Sequence, residues 1–235
     1  MSILHELEAS SPRPAIDASR EEKKNYAERL SRHLALKFAN ALRRDFEGIL
    51  PNADGTRQES QARTARGVKK LDVNYSTPEL GLGLGVSIKT INYADATTGR
   101  FTKNYSRVEN ELRAEADDYH QRQPYAVLTG VIYLPLTSCH DSRDISSFGS
   151  AVRYFRHRAN RREPDDPTDR FERLFIGVYD ERSGDDWYLD VLSPPPRRGV
   201  PAAGSLLTFA RLIDEIRDTY DLRNNPPFIW ADEQA

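Results

Sequence analysis

Residues 71–93 read LDVNYSTPELGLGLGVSIKTINY, and this stretch decides the fold class. Leu71, Val73 and Tyr75 alternate with Asp72, Asn74 and Ser76, the period of a half-buried strand. After Thr77-Pro78-Glu79 and the glycines at 81, 83 and 85, the alternation resumes. Val86 and Ile88 fall on one side of a second strand, Ser87 and Lys89 on the other. The glycines are not a dinucleotide-binding loop, because that loop needs a helix opening behind it and a strand pattern follows instead. They suit a bulge or a tight turn.

Downstream, Val108, Leu112, Ala116 and Tyr119 form the apolar stripe of a helix over 104–121, which Pro124 ends. Residues 125–134 (YAVLTGVIYL) are a nearly continuous apolar run, as a central strand covered on both faces requires. Upstream, Ser19 and Glu22 stand at capping-box spacing. Tyr26, Leu30, Leu34, Phe38, Leu42 and Phe46 then recur every four residues, which predicts a basic amphipathic helix ending near 48–51. Residues 1–18 read as a flexible arm, 51–68 as a polar loop, and 138–170 as a polar, basic insertion. Two strands over 174–179 and 187–192, and a helix capped by Ser205, complete the chain. The expected fold is a mixed α/β domain over 19–235, a central sheet flanked by helices.

Of the 235 residues, 38% are hydrophobic and 30% charged, so the core must be concentrated in a few segments. No apolar run reaches the length of a membrane span, and the N-terminus lacks a signal-peptide core, so neither membrane nor secretion is expected, and the cytoplasm is. A single cysteine, Cys139, excludes an intramolecular disulfide framework and a thiolate zinc site. The net charge of −2 does not mark a nucleic-acid binder, but RYFRHRANRR at 153–162 concentrates five arginines. They either form a basic face or pair with the acids that follow, Glu163, Asp165, Asp166, Asp169 and Glu172.

The chemistry gathers around Asp72, Ser87 and Lys89. If the two strands pair, Asp72 and Lys89 meet, a carboxylate for a hard divalent ion beside a lysine to orient water and offset phosphate charge. One aspartate is a thin site, so a helix carboxylate is expected as well. Glu111 and Glu115 border the apolar stripe and are favoured in that order, while Glu109 is placed toward solvent. Asn104 and Arg107, earlier on the same helix, are placed to touch a phosphate. The five histidines show no metal-ligand spacing, although His120 closes the acidic helix. Taken singly, each residue also has a structural reading: Asp72 and Lys89 as solvent-facing strand positions, the glutamates as a solvated face pairing at i,i+4, such as Glu109 with Arg113.

Asp72 followed by Ser87-Ile88-Lys89 resembles the PD-(D/E)xK nuclease superfamily, whose motif places an aspartate on one strand and acid-x-Lys on the next. The similarity covers roughly residues 20–135 and departs at Ser87, where an acid is usual, and at Leu71, where the proline is absent. It is closest to a restriction-endonuclease branch with Ser-x-Lys, in which a glutamate of the following helix replaces the missing acid. The resemblance implies a restriction-endonuclease-like αβββαβ core and a Mg2+-dependent endonuclease, with Mn2+ as a substitute ion. Asp72 with Glu111 or Glu115 would hold the metal, Ser87 would lie beside it, and Lys89 would position the water. It also implies double-stranded DNA as substrate, gripped by Arg153, Arg156, Arg158, Arg161 and Arg162. A homodimer, a role in phage defence, and a cognate methyltransferase or defence-system partner follow in the same way. The alternatives are a nucleic-acid-binding or defence-complex subunit with a degenerate or partner-activated site, and a structural interaction protein.

Overall fold

The strand β5, Val127–Pro135, is buried at every position and forms the middle of the sheet. The computed structural model describes residues 2–57, 61–64, 67–78 and 81–224. The sheet order is β3 (Val73–Thr77), β4 (Gly81–Thr90), β5, β6 (Arg173–Tyr179) and β7 (Asp186–Asp190). The three central strands are parallel, and each edge strand is antiparallel to its neighbour. Parallel neighbours need crossovers. Helix α3 (Tyr105–His120) lies in the crossover between β4 and β5, and α4 (Ser147–Phe155) in that between β5 and β6.

The apolar run of β5 divides by alternation between two cores. Leu128, Ile132 and Leu134 meet Leu112 and Ala116 of α3 and Phe148 and Val152 of α4. Val127, Val131 and Tyr133 belong to the opposite core, with Leu30, Leu34 and Phe38 of α2 (Arg20–Leu42) and Ile213 and Ile216 of α5 (Phe209–Arg223). Both faces are thus covered, and the expected α/β class with a helix-flanked mixed sheet is observed. Among the described residues no helix is long and apolar enough to cross a membrane.

Both halves of the Ser19/Glu22 capping box are present, and all six residues of the four-residue stripe are buried. The helix ends at Leu42, earlier than expected. Arg43 folds back to donate to the carbonyls of Ile49 (3.0 Å) and Pro51 (2.6 Å), which ties down the turn that follows the helix. The glycine run lies inside β4. Tyr75 pairs with Leu84 but Ser76 with Leu82, so Gly83 is an unopposed bulge residue. A side chain at Gly85 would strike methyls of Leu71 and Leu128 at 2.7–2.8 Å.

Four expectations are corrected. Residues 2–18 are no flexible arm: they contain α1 (Leu4–Ala9), Ile3 is fully buried, and Ile3 N–H donates to Gly184 O at 2.7 Å. Within 51–68, β1 (Gln61–Thr64) and β2 (Gly67–Lys70) pair as an antiparallel hairpin. The segment 138–170 is no appended insertion, because Phe148, Ala151, Val152 and Phe155 of α4 fill one core. The final helix is capped by Thr208, whose side chain accepts from Arg211 N–H, and Ser205 lies in a preceding 3-10 turn. Glu79 of the expected turn and residues 225–235 of the expected domain lie outside the described residues.

Candidate functional site

The pairing Val73↔Val86 starts β3, so Asp72 stands just beyond the ladder, opposite Ser87. From there β4 continues without a strand partner on that side among the described residues. Its next inward N–H, Ile88, donates to Asp72 Oδ2 at 2.6 Å. Alternation along β4 sends Val86 and Ile88 into the α2 core and leaves Ser87 and Lys89 toward α3. Glu115 of α3 meets both: Oε1 lies 2.5 Å from Lys89 Nζ, and Oε2 accepts from Ser87 Oγ at 2.5 Å.

Burial pushes the Asp72 carboxyl up to about 6. Lys89 and the Ile88 N–H act against that rise and the Glu115 charge adds to it. Burial also works against the Lys89 charge, but Glu115 and then Asp72 outweigh it and hold the ammonium above its ordinary value. Two carboxylates around one ammonium leave a local excess of one negative charge. Asp72 also borders a cleft of about 720 Å3 lined by Ser31, Arg32, Pro51, Thr56 and Lys70.

The helix phase separates the two favoured glutamates. Glu115 joins Ser87 and Lys89, whereas Glu111 is paired with Arg107 at 2.5 Å on the helix surface. Arg107 is committed to that pair, and the Asn104 side chain makes no capping bond at the start of α3. Glu109, expected toward solvent, is buried and holds Arg158 at 2.5 Å instead of Arg113. His120 is buried away from the carboxylate pair, with Nδ1 3.0 Å from Thr168 O and Nε2 3.4 Å from Glu172.

Two of the five arginines of the run, Arg158 and Arg161, pair with acids. Arg161 is closed to solvent and bound to Glu172 at 3.0 Å and to the carbonyls of Pro124 and Pro164 at 2.9 and 2.7 Å. It therefore cannot meet a DNA phosphate, which corrects its expected role. Arg158 bridges Glu109 and Asp169, and Arg156 donates to Leu192 O. Arg153, Arg156 and Arg162 are exposed.

Two further residues lie at this site without having been predicted for it: Ser31, which lines the Asp72 cleft and donates to Ile88 O at 3.4 Å, and Tyr119, which the apolar stripe marks only as core. The spacing of Tyr119, one turn beyond Glu115, was the available signal for it.

Among the described residues no group of three or more His, Cys, Asp and Glu side chains converges as a metal cage. The donor set of Asp72 and Glu115 is all-oxygen and carries excess negative charge. That fits a hard ion such as Mg2+, which keeps several waters and binds through one or two carboxylates plus substrate phosphate. Compared with family models, curated proteins and solved structures, the chain matches none.

Proposed function

We propose that the protein is a Mg2+-dependent endonuclease that hydrolyses DNA phosphodiester bonds, of the restriction or phage-defence type. The observation that carries this reading is Glu115 reaching from α3 to both Ser87 and Lys89. It is the substitution that the Ser-x-Lys branch implies, a helix carboxylate standing in for the acid missing at position 87. The order α2, β3, β4, α3, β5 follows the αβββαβ pattern in all but its first strand, because β2 pairs with β1 in a separate two-stranded sheet and the central sheet begins at β3.

In this reading Asp72 and Glu115 would hold the divalent ion, which would supply Lewis-acid stabilisation of the phosphate. Lys89, kept charged by its carboxylate neighbours, is a donor and not a base. It orients the attacking water and offsets charge on the phosphate oxygens. Ser87 holds Glu115 in place. The water oxygen bonds to phosphorus as its proton passes to solvent, the P–O ester bond breaks, and the leaving alkoxide takes a proton from solvent. The cleft beside Asp72, with Arg32 on its wall, is the route for the strand. Arg153, Arg156 and Arg162, the exposed arginines of the run, would contact phosphate. Cutting both strands at a defined site implies a homodimer, and self-protection implies a methyltransferase partner.

A second reading is a DNA-binding or defence-complex subunit with a degenerate site. It is favoured by the fact that both Glu115 oxygens are already occupied by Ser87 and Lys89. Plasmid and phage DNA incubated with Mg2+ or with EDTA, beside Lys89→Ala, separates the two. Metal-dependent fragments lost in the variant support the nuclease. Retarded but uncut DNA supports the subunit.

A further inference from the structure

We propose that the Tyr119 hydroxyl is a positioning group of this site, holding a water molecule against the Glu115 and Asp72 carboxylates. The proposal rests on the metal-dependent nuclease reading. Tyr119 follows Glu115 by four residues on α3, so the two side chains share a helix face. Its side chain is 0% exposed, yet its hydroxyl has no hydrogen-bond partner among the described residues. Buried hydroxyls are rarely left in that state.

The carboxylates around it are engaged elsewhere. Glu115 is taken by Ser87 and Lys89, Asp118 by Lys69, and Asp72 Oδ2 by the Ile88 N–H. A phenol carries its proton at neutral pH and acts as a donor, and Glu115, Asp118 and Asp72 are the charges that act on it. A water molecule needs two to four polar partners. The hydroxyl and the Glu115 and Asp72 carboxylates, whose oxygens each carry more than one lone pair, supply them.

If Tyr119 only fills the core, phenylalanine serves equally well. Mn2+ titration calorimetry, thermal melting, and cleavage kinetics on plasmid DNA of wild type and Tyr119→Phe decide the matter. The expected result is an unchanged melting temperature without ion, Mn2+ binding weakened about tenfold, and kcat reduced about tenfold or more at constant KM. Equal Mn2+ affinity in both proteins overturns the proposal and leaves the nuclease reading standing. Weakened Mn2+ binding with no cleavage by either protein supports the role of Tyr119 and overturns the nuclease. A wild type that binds no Mn2+ overturns both.

Discussion

Glu115 joins Lys89 through one carboxylate oxygen and Ser87 through the other, each at 2.5 Å. A helix residue thereby fixes two side chains that β4 projects from the same face, and the three form one charge-balanced unit beside Asp72. An acid at position 87 would stand against Glu115, so serine there and glutamate on the helix are alternatives.

A swap tests that complementarity. Ser87→Asp alone buries a second carboxylate against the first and is expected to destabilise the fold by about 1–3 kcal/mol. The double variant Ser87→Asp/Glu115→Ser relieves the repulsion and is expected to recover most of the loss in urea denaturation, because contacting residues are not additive.

The Asp72 carboxyl sets a pH dependence. Its folded value of about 6 lies above the ordinary 3.8, so the folded state holds the proton more tightly than the unfolded chain. This contribution to stability is present below about pH 4 and is lost as pH rises through 6. Asp72→Asn is expected to be more stable than wild type at pH 7.5, by roughly 3 kcal/mol at most, and the difference is expected to vanish at pH 3.5. Denaturation curves at the two pH values measure it.

Arg161 is a structural residue. Arg161→Ala leaves the Glu172 carboxylate buried with less compensation, and an expected loss of about 3–5 kcal/mol appears in thermal melts. Arg153→Ala, at an exposed position, is expected to change stability by less than about 0.5 kcal/mol.

Arg32 is exposed on the wall of the Asp72 cleft. Arg32→Ala is expected to weaken DNA retention and to reduce the slope of log affinity against log salt by about 1, measured by fluorescence anisotropy over a salt series. An unchanged slope places the DNA elsewhere.

The elements that were legible carried their own period. Residues 86–89 put Ser87 and Lys89 on one face, Ser19 and Glu22 marked a helix start, and the run in β5 announced a strand between two cores. What was hidden depends on long-range packing. The choice of Glu115 over Glu111 follows from how α3 docks on the sheet, which differs by one turn between two equally spaced glutamates. In α4, Phe148, Val152 and Phe155 are masked by Arg153 and the arginines beyond it, so a core helix read as a basic excursion. The N-terminal segment is held by Gly184, 181 residues from Ile3, and no local pattern reports such a contact.

The most direct measurement is the rate of plasmid cleavage in Mg2+ by wild type, Glu115→Gln and Glu111→Gln. Cleavage by wild type, a loss of about a hundredfold or more in Glu115→Gln with DNA retention unchanged, and a change within about threefold in Glu111→Gln are expected. A Glu115→Gln variant that cuts as fast as wild type, or a wild type that never cuts in Mg2+, contradicts the assignment of this site.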